Sequence, residues 1–149
     1  MKTLTIFTPA YNRAYCLDRC YKALKRQTNK DFDWLIIDDG STDNTRELVQ
    51  SWIDKQDNGF EIRYIYKENG GLHTAYNEAI ANMDTELSMC IDSDDFPPDD
   101  AVEKIIKFWN ENGSYKYAGI VALDYDLEGN IIGDPLPNQK TVNLIDLLI

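Results

Sequence analysis

Histidine and cysteine are scarce in this chain: His73 is the only histidine, and the three cysteines are Cys16, Cys20 and Cys90. A structural zinc centre would want more Cys or His close to the Cys16–Cys20 pair, and the only histidine, His73, is far from it in sequence. Three irregularly spaced thiols also exclude a disulfide framework. Cys16 and Cys20 lie one helical turn apart and would share a helix face as small core residues. No apolar run approaches the roughly 20 residues needed to span a bilayer. The opening Met1-Lys2-Thr3-Leu4-Thr5-Ile6 reads as a strand and not as a signal peptide. These absences point to a soluble protein of a reducing compartment, cytoplasmic, compatible with attachment at the inner face of a membrane.

Positive charge is short as well. Against 26 Asp+Glu stand 15 Lys+Arg, a net charge of −11. Such a balance argues against nucleic acid, or an anionic membrane, as the main partner. A phosphate-bearing ligand would be repelled too, unless a cation or a cluster of backbone N–H groups intervened. The composition, 43% hydrophobic and 11% aromatic, excludes disorder. With 149 residues the chain suits a single domain over 1–149 with a real core.

What is present is an alternation of strand-like and helix-like patterns. Leu4 to Thr8 is a β-prone run closed by Pro9, and residues 14 to 27 place Leu17, Cys20, Tyr21 and Leu24 at helical spacing. Phe32 to Ile37 is a second strand. A helix carrying Leu48, Val49, Trp52 and Ile53 follows, with Asn44 and Glu47 spaced as a capping box. Ile62 to Tyr66 is a third strand, followed by a helix with Ala75, Ala79, Ile80 and Met83 on its core face. Leu87 to Ile91 reads as a buried fourth strand. Pro97-Pro98-Asp99 then opens a helix with the stripe Val102, Ile105, Ile106 and Trp109, Asp99 supplying its cap. Ile120 to Leu123 is expected to be a fifth strand, and Glu128-Gly129-Asn130 the turn of a hairpin returning through Ile131-Ile132. The apolar stretch from Asn143 to Ile149 carries no helix-stop signal, so the chain is expected to be a piece of a longer protein.

This alternation predicts an α/β fold, a Rossmann-like, mostly parallel sheet flanked by helices with right-handed crossovers. Ligands in such folds bind outside the carboxyl ends of the strands, and the unusual polar residues lie there. Thr8-Pro9-Ala10-Tyr11-Asn12 follows the first strand; Tyr11 offers an aromatic face and Thr8 a hydroxyl to a nucleoside, although ordinary turn chemistry explains the segment equally well. Asp38-Asp39-Gly40-Ser41-Thr42-Asp43 follows the second. One helix cap needs one side chain, so this crowd of polar groups has capacity left for a uracil-like N–H or a ribose hydroxyl. Asn69-Gly70-Gly71, running through His73 to Asn77, is a Gly-rich entry to a helix, a type of turn that binds anions through its free N–H groups. It is neither a Walker A loop nor a dinucleotide fingerprint. Asp92-Ser93-Asp94-Asp95 follows the fourth strand. Carboxylates this close repel one another unless a cation sits among them, and hard oxygen ligands at a strand end suit Mg²⁺ or Mn²⁺, with substrate phosphate and water completing the shell.

Taken together and in this order, the segments resemble the family 2 glycosyltransferases of the GT-A fold, over roughly residues 2 to 125. The resemblance implies a nucleoside diphosphate-sugar donor, most often UDP-linked, and inverting transfer to a hydroxyl of a saccharide or lipid-linked saccharide, as in cell-surface polysaccharide synthesis in bacteria. It places Thr8 and Tyr11 at the nucleoside and Asp39 at the base, with Ala10, Asn12, Asp38, Asn69, Gly70, Gly71 and Asn77 as further substrate-binding residues. Asp92 and Ser93 fall near ribose or sugar, and Asp94, with Asp92, at a Mn²⁺ or Mg²⁺ ion. Two departures stand out. Tyr76 occupies the position before Asn77 where many members carry Arg, and nothing after Asp124 matches the downstream Asp/Glu motif that supplies the family's general base. The implication is a donor-binding part without the base that completes transfer. The alternatives are a nucleotidyltransferase, disfavoured because Thr8-Pro9-Ala10-Tyr11-Asn12 is not the Gly-rich, Arg/Lys-bearing loop it would want right after the first strand, and a non-catalytic nucleotide- or metal-binding module of the same fold.

Overall fold

Every short apolar run in the first two thirds of the sequence is a strand of one parallel sheet. The computed structural model describes residues 2–136 and 138–143, grouped in two compact units, Met1–Tyr115 and Lys116–Ile149. The first unit runs β1 (Leu4–Ala10), α1 (Leu17–Arg26), β2 (Phe32–Asp38), α2 (Thr45–Lys55), β3 (Ile62–Tyr66), α3 (Leu72–Ala81), β4 (Leu87–Cys90) and α4 (Ala101–Asn112). The second contains the two-residue strands β5 (Asp124–Tyr125) and β6 (Ile131–Ile132), paired antiparallel.

The sheet order is β3-β2-β1-β4. β1 and β2 are buried at every position, as central parallel strands covered on both faces must be. Alternation along them divides the core in two. Leu4, Ile6, Phe32, Trp34 and Ile36 join Leu17, Tyr21 and Leu24 of α1, Val49 and Trp52 of α2, and Val102 and Ile106 of α4 on one face. Phe7, Leu35 and Ile37 meet Ala75 and Ala79 of α3 on the other. The handedness of the crossovers accounts for this split. The steps β1-α1-β2 and β2-α2-β3 move one way across the sheet, whereas β3-α3-β4 moves back, so a right-handed connection must cross the opposite face. Aromatic stacking dominates the larger cluster: Tyr21 and Trp52 are 4.2 Å apart and nearly parallel, and Trp34 lies 5.8 Å from Trp52.

Several local expectations are corrected. β1 does not close at Pro9 but continues to Ala10, with Pro9 in register with Ile37. A central strand tolerates this proline because Phe7 faces β4 and accepts the Ile91 N–H. Pro9, two residues on, faces the same side beyond the last β4 pair, Phe7 with Cys90, where a missing donor leaves no ladder bond unmade. β4 is a strand but not a buried one, since it forms the sheet edge and its residues are half-buried or exposed. Ile120 to Leu123 forms no strand, whereas the hairpin around Gly129 does form. Ile80 points outward at 63% exposure.

The expected caps also differ. Asn44 makes no side-chain cap bond at α2; the Asp43 carboxylate accepts the Thr45 N–H at 3.0 Å instead. At α4, Asp99 pairs with Arg26 at 3.0 Å, and the Val102 N–H is taken by Gln27 Oε1 at 3.0 Å. Gln27 also donates to Pro98 O at 2.7 Å, so the end of α1 holds the start of α4.

Candidate functional site

The polar loops following β1, β2, β3 and β4 emerge at the carboxyl edge of the sheet. Two concavities of about 520 Å³ each lie at the other end, one lined by Asp31, Asp33, Glu61, Asp84 and Thr85 with Lys2, the other by Ile53, Phe60 and their neighbours. Neither gathers any of the clustered residues singled out above, and parallel sheets present ligands at the opposite edge. The rim is therefore the candidate site.

The first two loops are stitched together. Asn12, at φ +54°, uses its side-chain oxygen to accept the N–H groups of Thr42 at 2.8 Å and Asp43 at 3.2 Å. Its own N–H donates to Ser41 Oγ at 2.9 Å. Asp43 in turn accepts from Ala14 N and from both the N–H and hydroxyl of Thr45. Burial would push the Asp43 carboxyl up, but these donors outweigh it and hold it below the ordinary value. Thr8 lies beneath this layer, fully buried, its hydroxyl accepting from Trp34 Nε1 at 2.9 Å. Ala10 is buried and its carbonyl accepts the Asp39 N–H at 2.8 Å. Tyr11 alone of this segment presents a large ring to solvent, at 49% exposure.

Asp38 and Asp39 point into different surroundings. Asp38 is fully buried and accepts from Ser41 N at 2.7 Å and from the Tyr64 hydroxyl. Burial, reinforced by that carboxylate, pushes the Tyr64 phenol well above its usual range, so it stays a donor. Asp39 is nearly buried and bridges to the third loop. Its Oδ1 lies 2.6 Å from Lys67 Nζ and 3.0 Å from Gly70 N, and its Oδ2 lies 2.8 Å from Gly71 N. Burial disfavours its charge, yet Lys67 and the two glycine N–H groups overcome this and depress its pKa. The Gly-Gly turn thus cradles an internal carboxylate. Gly71 takes φ +90° at the start of α3. Gly40 takes φ +86°, and a Cβ there would come within 2.8 Å of Asn69 N, so glycine permits the two loops to touch.

After β4, Ile91 and Ser93 are buried while Asp92, Asp94 and Asp95 are exposed. The alternation aims the carboxylates outward beside the end of β1. Among the described residues neither Asp92 nor Asp94 forms an ion pair with Lys or Arg. Cys90 Sγ lies 3.7 Å from Asp92 Oδ1 and 3.2 Å from the Tyr76 hydroxyl. Burial pushes the Cys90 thiol up to about 11, so it behaves as a packed group and not as a thiolate ligand. Tyr76 stands edge-on to Phe7 at 5.2 Å. Among the described residues no group of three or more Cys, His, Asp and Glu side chains converges as a metal cage. Two exposed hard-oxygen donors fit an ion that takes its other ligands from a diphosphate and water.

The structure therefore brings the first three loops into one hydrogen-bonded rim, with the Asp92–Asp95 turn beyond the neighbouring end of β1. His73 and Asn77 are exposed on α3. Lys67 and Tyr64 are members of this network that lie outside the motifs, and Thr74 is a member from within the third. The available signal for Lys67 is its position, directly after a strand and before a Gly-Gly turn.

The chain is similar to several known proteins. The family model described as Glycosyl transferase family 2 matches residues 5–134. An uncharacterized glycosyltransferase of Rickettsia conorii is 38% identical over 109 residues, covering 73% of this chain and 17% of that protein. A chondroitin synthase of Escherichia coli is 32% identical over 131 residues, covering 88% of this chain and 19% of that protein. The chain thus spans less than a fifth of the length of these relatives. Among solved structures, S. aureus TarS residues 1–349 in complex with UDP-GlcNAc superposes with a TM-score of 0.67 at 25% identity, covering 74% of this chain and 32% of that one.

Proposed function

Because the chain belongs to glycosyl transferase family 2 and has the GT-A fold, we propose that its rim binds a nucleoside diphosphate-sugar, UDP-linked, as donor for an inverting transfer to a hydroxyl. The acceptor is a saccharide or lipid-linked saccharide of a cell-surface polysaccharide. The observation that carries this reading is the pair of exposed carboxylates Asp92 and Asp94, turned outward at a strand end in a protein of net charge −11. An anionic donor reaches such a surface across a cation or a cluster of backbone N–H groups, and the two carboxylates suit the cation.

In this reading Asp94 and Asp92 hold Mn²⁺ or Mg²⁺, which neutralises charge on the leaving nucleotide as a Lewis acid when bound. Tyr11 supplies the ring face for the nucleoside, above the backbone from Thr8 to Ala10. Asp39 accepts the base N–H. Asn12, Ser41 and Asp43 keep the first two loops in one geometry, so that the donor meets a preorganised rim. Ser93, buried between the outward carboxylates, fixes the turn that aims them. Asn69 and Asn77 line the way toward the sugar. No residue of this chain is assigned as the general base. The complex with UDP-GlcNAc of TarS and the relationship to chondroitin synthase support donor class and product class respectively. No helix among the described residues is long and apolar enough to cross a membrane. The family relationship supports a cytoplasmic place, compatible with attachment at the inner membrane face.

Calorimetric titration of UDP, UDP-sugars and CTP, with and without Mn²⁺, tests this. UDP is expected to bind only with the metal, and Asp94→Ala to weaken it by roughly ten- to a hundredfold, the loss of a charge-assisted contact. UDP binding that ignores both Mn²⁺ and Asp94→Ala would overturn the reading.

A further inference from the structure

Lys67 is spent entirely inside the protein. An ammonium has three N–H donors and no acceptor, and here the three go to Asp39 Oδ1 at 2.6 Å, Glu68 O at 2.6 Å and Thr74 Oγ1 at 2.8 Å. Thr74 closes the circuit, because its own hydrogen goes to Gly71 O at 2.8 Å. None of these donors is left over for a diphosphate.

The acceptor side can be counted in the same way. A carboxylate offers about four acceptor positions, two on each oxygen. On Asp39, Oδ1 is filled by Lys67 and by Gly70 N at 3.0 Å, and among the described residues Oδ2 takes only Gly71 N, at 2.8 Å. Thr74 Oγ1, 3.4 Å from Oδ1, has no second hydrogen to give. One acceptor position remains, on Oδ2.

Resting on the donor-site reading above, we propose that Lys67 is a positioning residue for base recognition. By filling Oδ1 of Asp39, it fixes the carboxylate so that a single acceptor on Oδ2 is left for the N–H of a uracil ring. A cytosine ring carries an unprotonated nitrogen at the corresponding place and meets that oxygen lone pair to lone pair. Lys67, which contacts no nucleotide, thereby sets the preference for UDP over CDP.

The test is a double-mutant cycle on the full 149-residue chain, read by calorimetry with UDP and with CDP in the presence of Mn²⁺. Lys67→Met is expected to weaken UDP by roughly ten- to a hundredfold and to abolish the UDP-over-CDP preference, with Lys67→Arg restoring part of both. In an Asp39→Asn background the same Lys67→Met change is expected to cost less than about threefold, because the two residues act as one unit. Lys67→Gln, which keeps an N–H donor, serves in the same cycle if the methionine variant does not fold by thermal denaturation. Wild-type UDP affinity in both the methionine and the glutamine variant overturns the inference. So does an equal loss with and without Asp39, which would make Lys67 a direct ligand. A wild-type chain that binds no nucleotide overturns the donor-site reading itself, and this inference with it.

Discussion

The fold favours the charged forms of Asp39 and Asp43. Burial acts against each carboxylate, and N–H donors, with Lys67 for Asp39, more than offset it, leaving both below the ordinary 3.8. A carboxyl whose pKa falls on folding contributes stability that is complete above its unfolded value and lost as pH drops through the folded one. The affected window therefore begins near 3.8 and extends downward. Asp39→Asn and Asp43→Asn are each expected to lose about 1–3 kcal/mol at neutral pH, and to lose less than wild type on further acidification. Urea midpoints measured across that range check this; an acid limb identical in wild type and both variants would sink the assignment. The two residues were legible in the sequence because the Asp38–Asp43 turn holds more polar groups than one cap requires. Lys67 was not, because one lysine after a strand looks like any solvated residue. The inward aim of Thr8 was available from alternation, since it shares a face with Leu4 and Ile6, which pack in the core.

At the scale of elements, the strands and helices up to α4 were readable because each carries an apolar period matched to one or two buried faces. What periodicity could not show was position across the sheet. Leu87 to Cys90 looks like an interior strand, yet it lies at the edge, and Ile120 to Leu123 has the composition of a strand without a partner to pair with. Loop contacts were equally hidden, and Gly40 is the clearest case. Its φ of +86° disfavours a side chain, and a Cβ would also strike Asn69 N of the neighbouring loop at 2.8 Å. Gly59 has φ +77° but would meet only the methylenes of Lys30, at 3.6 Å. Both alanine variants should bear the backbone strain of about 1–3 kcal/mol, and Gly40→Ala should exceed Gly59→Ala because two rim loops must part. Urea denaturation distinguishes them, with midpoints falling and slopes unchanged if the folded state keeps its compactness. Equal losses would show that the loop contact contributes nothing.

At the scale of the molecule, the two buried clusters draw all their fully buried residues from positions 4 to 106. The rim loops lie within the same stretch, between Thr8 and Asp95. None of the described residues beyond Ile106 belongs to either cluster, and the hairpin strands β5 and β6 are exposed. A chain ending at Tyr115 should therefore keep a cooperative unfolding transition, because the stacked Tyr21, Trp34 and Trp52 all lie within the unit Met1–Tyr115. If the donor is held by the rim alone, that shortened chain should also bind UDP with Mn²⁺ within about threefold of the full chain, a difference smaller than one ordinary hydrogen bond. Loss of the transition would mean that the core leans on the second unit. A retained transition with UDP binding lost would instead place a donor contact beyond Tyr115, and would shift the search for further donor contacts to the segment holding Tyr117, Tyr125 and the hairpin.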